Sequence, residues 1–282
     1  MDTTLQNLEY IISSNCSLNN DQASVLHYLI KKIIEKEGLS EKATSIIVGI
    51  QNLLAIQGLS EDRKTSHEIS SQLEEFLQTS DTIFTENSGG WKSKGMKTKA
   101  EELMRATEIY TKALAKLIDD RSDTCSQVHS PSKTVLAGML KLRKNCLDYD
   151  GKGKSTSEIR MPPENSSAAF LNGKRSFDSV RIFRKVFDSL GNASEITIST
   201  VLYDALATIL PQDMTEQSKL KTNNTKVIVN SKVLSVMVDP PLSAEQIWGD
   251  DNLLEINLEL KQKNPNYKYK IFCAYYKFDA YA

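Results

Sequence analysis

Histidine, cysteine and net charge are all scarce in this 282-residue sequence. Its three histidines, His27, His67 and His129, lie far apart, and no two stand at the one-turn spacing of helical metal ligands. His27 falls within a helical segment, where a satisfied or solvated imidazole is the commoner case. The four cysteines, Cys16, Cys125, Cys146 and Cys273, form no Cys-x-x-Cys pair, which removes the zinc and thioredoxin-type patterns. An even count permits disulfides, and four buried thiols fit the same residues equally well. The 35 basic and 36 acidic residues nearly cancel, to a formal net charge of -1, so the basic footprint of a nucleic-acid binder is missing. No apolar run approaches the ~18 residues of a membrane span. The start, Met1-Asp2-Thr3-Thr4, lacks the charged-then-apolar pattern of a signal peptide. These residues predict an intracellular chain, or a fragment whose leader lies upstream.

Catalytic signatures are missing as well. There is no Gly-x-Ser-x-Gly elbow and no His-Glu-x-x-His pair. Gly151-Lys152-Gly153-Lys154-Ser155 lacks the first glycine of a phosphate loop and reads as a solvated loop. Asp148-x-Asp150-Gly151 lacks the downstream ligands of a calcium loop. Glu74-Glu75 and Glu101-Glu102 fall on polar helix faces, where solvation is the plainer role than acid–base work. Trp91 and Trp248 read as loop anchors or core edges. The expectation is a chain with no complete catalytic set, no cofactor, no metal and no small-molecule substrate.

What is present is periodicity. Hydrophobic residues make up 40% of the chain and charged residues 25%, an ordinary soluble composition that can bury a core in one large domain or two coupled ones. Leu5, Leu8, Ile11 and Ile12 have helical spacing. Asn20-Asp21-Gln22 suits a helix start, followed by a wide stripe at Val25, Leu26, Leu29, Ile30, Ile33 and Ile34. Gly38-Leu39-Ser40-Glu41 ends it and caps the next helix, which carries Ile46, Ile47, Ile50, Leu53 and Leu54. Gly58-Leu59-Ser60-Glu61 repeats that punctuation. Ile69, Leu73, Phe76 and Leu77 mark a further helix, and Lys97 to Ile118 the strongest one. Short connections imply a small antiparallel bundle.

The character changes after Asp119-Asp120-Arg121. Val135 to Leu142 suits a strand, and Asp148 to Gly153 a turn or loop. Phe177 to Phe187 fits strand and helix alike. Ile196 to Thr200 reads as a strand, with Val201 to Leu210 compatible with helix. Val227 to Val238 looks buried on both faces and stops at Pro240-Pro241. Leu254, Ile256, Leu258 and Leu260 alternate with polar residues as a half-buried strand, and Tyr267 to Phe278 returns after Asn264-Pro265-Asn266. Helices first and strands later predict an α+β fold: a helical bundle over 1–122 followed by a β-sandwich over 123–282. Four sequons, at Asn15, Asn165, Asn192 and Asn223, are candidate glycosylation sites if the chain is secreted.

Two stretches then line up with one family. Val227-Ile228-Val229-Asn230-Ser231-Lys232-Val233-Leu234-Ser235 leads to the alternating strand Leu253 to Leu260 and to Cys273-Ala274-Tyr275-Tyr276-Lys277-Phe278. This run resembles the GAIN domain of adhesion G-protein-coupled receptors, and within them the latrophilins. Tyr276 stands where the family usually has Trp. Trp91, the helix from Ala100-Glu101-Glu102-Leu103 to Leu114-Ala115, and Thr134-Val135-Leu136 are similar to the family's last helix and first strand. The resemblance implies an extracellular, glycosylated, membrane-proximal module of a membrane-spanning parent. Its partners would be protein ligands and the receptor's own C-terminal fragment, whose agonist strand it holds buried.

The family's cleavage tripeptide, His-x-Ser/Thr, is not in this chain, which has no histidine after His129, so self-cleavage is not expected of these residues. The resemblance also implies a partner for Cys273 beyond Ala282, and Cys125 and Cys146 are candidates for a bridge from the end of the helical part to the sheet. Two rival readings compete. An intracellular helical scaffold with a β-rich partner-binding half explains the missing leader but not the sequons. A hydrolase would need clustered polar residues that the sequence does not show.

Overall fold

The computed structural model describes Tyr10 and residues 20–37, 39–57, 65–86, 94–118, 126–131, 134–143, 148–149, 155–161, 178–191, 193–204, 206, 232–243, 246 and 253–258. Four long helices come first: α1 (Asn20–Glu37), α2 (Glu41–Gln57), α3 (Ser66–Glu86) and α4 (Lys94–Leu117). In α1, Ala23, Leu26, Ile30 and Ile33 are buried at alternating three- and four-residue steps, the spacing that keeps side chains on one face. The stripe is narrower than the sequence suggests, because Val25 is 55% exposed and Leu29 and Ile34 only flank the core.

Helix α2 begins as expected. The Ser40 hydroxyl accepts a 3.2 Å bond from the Ala43 amide, and its carbonyl accepts one of 2.8 Å from Thr44. Ala43, Ile46, Ile47, Val48, Ile50, Leu53 and Leu54 are all buried, so α2 is covered on most of its circumference. The Gly58-Leu59-Ser60-Glu61 phrase lies outside the described residues. The α3 helix opens instead on a capping box: the Glu68 carboxylate accepts from the Thr65 amide at 2.8 Å, and the Thr65 hydroxyl accepts from the Glu68 amide at 3.3 Å. Phe76 of α3 stacks on Tyr110 of α4 with ring centres 4.0 Å apart.

The strands follow: β1 (Ser126–Pro131), β2 (Val135–Arg143), β3 (Asp148–Tyr149), β4 (Ser155–Met161), β5 (Asp178–Phe183), β6 (Glu195–Tyr203), β7 (Val233–Asp239) and β8 (Leu254–Asn257), with a short helix α5 (Lys185–Ser189) after β5. They form two four-stranded antiparallel sheets, in the orders β1-β2-β6-β7 and β3-β4-β5-β8. Both faces of the first sheet are covered. Val135, Ala137 and Met139 of β2, with Val201 and Tyr203 of β6, join the core of the helices. Leu140 and Leu142, with Ile196, Ile198 and Leu202, join a second core against Ile159, Val180 and Ile182 of the other sheet. Strand alternation therefore produces three layers: helices, first sheet, second sheet. The α+β class expected from the sequence is the one observed.

Local expectations meet mixed outcomes. The segment compatible with both strand and helix is both: β5 ends at Phe183 and α5 begins at Lys185. Val201 to Tyr203 continue β6 rather than turning helical, because they pair with Ala137, Leu136 and Val135. Asp148 and Tyr149 are not loop but a strand pair with Thr156 and Ser155. In β7 every residue is half-buried rather than buried, since the strand ends its sheet. Ile256 of β8 is 50% exposed for the same reason. Residues 5–8, 11–12, 227–231 and 260–278, for which helix and strand were also expected, lie outside the described residues.

Candidate functional site at the outer strand of the first sheet

Strand β7 is where all three layers meet. Its odd-numbered residues face the helices: Val233 and Met237 pack on the helical core, while Ser235 and Asp239 carry polar contacts. The Ser235 side chain hydrogen-bonds Glu108 of α4. Asp239 is bridged by Lys112 at 3.2 Å and Lys116 at 3.0 Å. Glu108, Lys112 and Lys116 stand four residues apart on one helix face, and Ser235 and Asp239 four apart on one strand face. Helix and strand thus engage along a polar seam. The even residues Leu234, Val236 and Val238 pack into the core between the sheets.

Electrostatics along the seam run in both directions. Burial pushes the Glu108 carboxyl above its ordinary range, and the Ser235 bond offsets only part of that. Burial also works against the Asp239 charge, but hydrogen bonds from Lys116 and Lys112 outweigh it and hold the carboxyl below its ordinary value. Just before β7, the Lys232 ammonium meets the Asp178 carboxylate at 2.6 Å. Asp178 is fully buried at the start of β5, so this ion pair ties the outer strand of the first sheet to the second sheet.

Further polar contacts key the helices onto the sheet. Asp81 of α3 accepts from the amide of Thr134, at 3.1 Å, and from its hydroxyl. Tyr203 donates to the Met104 carbonyl at 3.2 Å, and Lys141 to that of Ile118 at 3.1 Å. On the solvent side of the second sheet, Arg181 bridges Glu158 of β4 and Glu255 of β8, its register partners. Sequence reasoning missed the seam and the Lys232–Asp178 pair. The four-residue spacing of Glu108, Lys112 and Lys116 was visible, but reads as an ordinary solvated face.

The residues singled out from the sequence are elsewhere. Asn15, Asn165, Asn192, Asn223, Cys125, Cys146 and Cys273 all lie outside the described residues, as does Cys16. The neighbours of Asn192 are described: Gly191 is exposed with a φ of 68°, and Ser194 is exposed. His27 is buried, His67 is exposed on α3 and His129 lies in β1. Among the described residues no three His, Cys, Asp or Glu side chains gather as a metal group, and no helix is long and apolar enough to cross a membrane. The arrangement described is mechanical: it holds an outer strand through both faces.

Residues 144–282 match the family model described as GPS: GAIN subdomain B. No curated protein matches the chain. Among solved structures, the chain is similar to the full extracellular region of zebrafish Gpr126/Adgrg6, with 13% identity and a TM-score of 0.37 over 82% of this chain. The match spans 29% of that structure's length. The segment that the family model covers contains β7, an outer strand of the first sheet, and the whole of the second sheet. Residues 144–282 of this chain thus belong to the GAIN subdomain B family.

Proposed function

We propose that the chain is the extracellular, membrane-proximal regulatory module of a latrophilin-like adhesion receptor, holding that receptor's C-terminal agonist strand until a protein ligand or force releases it. The observation that carries the reading is the subdomain B match over residues 144–282. The outer strand β7, held from both sides, supports it: a module that retains a strand under load needs its own edge well anchored. The helical part spans 1–122 and the sandwich 123–282. Glycans sit at Asn15, Asn165, Asn192 and Asn223. Cys125 pairs with Cys146, and Cys273 with a cysteine beyond Ala282. The module supports cell-adhesion signalling and acts as a receptor part rather than an enzyme.

The test has two stages. The chain, expressed behind a secretion leader in mammalian cells, should lose mass on glycosidase treatment and show Cys125 and Cys146 protected from alkylation. The parent receptor should appear at the cell surface, and its basal G-protein signalling should change when Asp239→Lys breaks the seam. Empty sequons, four free thiols and unchanged signalling would together reject the reading.

A further inference from the structure

We infer that His27 makes the helical layer acid-sensitive, by acting as an uncharged latch between α1 and α3 that opens when the imidazole takes a proton. The inference is independent of the receptor reading. His27 lies on the buried face of α1, between Ala23 and Ile30, and is 5% exposed. Its ring meets Phe76 of α3 edge-on, with centres 6.3 Å apart at 76°. Phe76 is itself stacked on Tyr110 of α4, so His27 closes a three-helix aromatic row. Its Nδ1 is buried and has no hydrogen-bond partner among the described residues.

The surroundings suit a neutral ring. One turn on, Lys31 pairs with Glu75 of α3 at 3.4 Å, and both are more than a third exposed. These two are the charges that act on His27: Glu75 favours its protonation and Lys31 opposes it. From α4 the row presents the Tyr110 ring, whose phenol burial and Glu75 hold above its ordinary value, hence neutral. The α2 helix carries charge only at Glu41 and Lys42, in its first turn. Burial is the largest influence on His27 and lowers its pKa, and the single carboxylate does not reverse it. A proton would therefore add a second cation to a site whose one anion is already paired with Lys31.

The sign follows from linkage. A histidine whose pKa is lower folded than unfolded stabilises the fold fully above about 6.5, its unfolded value. That contribution fades as pH falls from there through the lowered folded value. Acidified compartments at pH 5–6 lie in or near this window. The main contacts of α1 are with α2 and α3, so the loss should be local, in the contact between α1 and α3.

Hydrogen exchange of the full chain at pH 7.5 and 5.0, corrected for intrinsic rates, tests this directly. The amides of α1 and of the Phe76 turn should open about fivefold more, or beyond, at pH 5.0, while β2 and β6 change little. In His27→Leu that acid response should vanish. If the variant does not fold, an NMR titration of the histidines in the wild-type chain decides alone, with His27 expected below the free imidazole value. An acid response spread evenly over helices and sheets, one unchanged in His27→Leu, or an imidazole titrating at or above 6.5 would each overturn the inference.

Discussion

The two faces of the first sheet are held in different ways. Toward the helices, apolar packing is interleaved with directional bonds: Thr134 to Asp81, Tyr203 to Met104, Lys141 to Ile118, and the seam of Glu108, Lys112 and Lys116 with Ser235 and Asp239. Toward the second sheet the contact is mainly apolar, through Leu140, Leu142, Ile196, Ile198, Leu202, Ile159, Val180 and Ile182, with the Thr200 hydroxyl donating to the Met161 sulfur at 3.4 Å and Lys232–Asp178 as a charged tie. The difference teaches where each interface gets its specificity. Apolar burial is non-directional and tolerates small slips. Hydrogen bonds do not, so the helix-facing side sets register, while the inter-sheet side contributes mainly by area.

The strongest way to break this contrast is at the charged tie between Lys232 and Asp178. Lys232→Met leaves a fully buried Asp178 without its 2.6 Å cation. Removing one partner of a buried pair costs about 3–5 kcal/mol. Chemical denaturation should therefore show a large loss, with the midpoint falling and the slope kept. Adding Asp178→Asn should return part of it. If the double variant is as unstable as the single one, the charge left behind is not the cause, and the tie matters through packing of the lysine stem instead.

A smaller effect is expected on the helix-facing side. Tyr203→Phe keeps the ring, which lies edge-on to Phe84 at 6.0 Å, and removes only the hydroxyl, which bonds the Met104 carbonyl and the Thr107 side chain. The net loss for one such bond is roughly 1 kcal/mol. Thermal unfolding should show it as a shift of a few degrees. A cost comparable to Lys232→Met would mean that the helix-facing bonds carry stability as well as register.

These contrasts also explain what was readable in the sequence. The long helices were legible because their periodicity extends over many turns, and the Ser40 cap because its chemistry is local. The Thr65-Ser66-His67-Glu68 box is just as local, but the louder Gly58-Leu59-Ser60-Glu61 phrase masked it. Val201 to Tyr203 looked helix-compatible because the pairing that makes them strand comes from Val135 to Ala137, distant in the chain. In β7, apolar residues at both parities suggested an interior strand. It is an outer strand instead, and its two apolar faces reflect the layers above and below it. The seam was illegible for the same reason, since α4 shows its charges and only the fold supplies Ser235 and Asp239. The family's C-terminal pattern was readable without any of this, and its match over residues 144–282 follows from local sequence rather than from packing.

The smallest predicted effect has the opposite sign and probes the seam itself. Glu108 is partly buried beside Ser235, and burial raises its carboxyl above the ordinary value despite that bond. A carboxylate whose pKa is higher folded than unfolded contributes stability that is complete below the unfolded value and is lost as pH rises through the folded one. Ionising Glu108 as pH rises therefore costs the seam stability. Glu108→Gln keeps an acceptor for the Ser235 hydroxyl and removes the charge, so it should raise stability at pH 7 by less than Tyr203→Phe lowers it. At pH 4, where Glu108 is largely protonated, the variant and the parent should converge. Asp239→Asn should do the reverse, costing stability at pH 7 and nothing well below pH 3.8, because Lys112 and Lys116 hold that carboxyl low. Denaturation curves at the two pH values separate the pair. If both variants destabilise alike at pH 7, the seam acts as one cooperative network and the opposing pulls on its two carboxylates do not act independently.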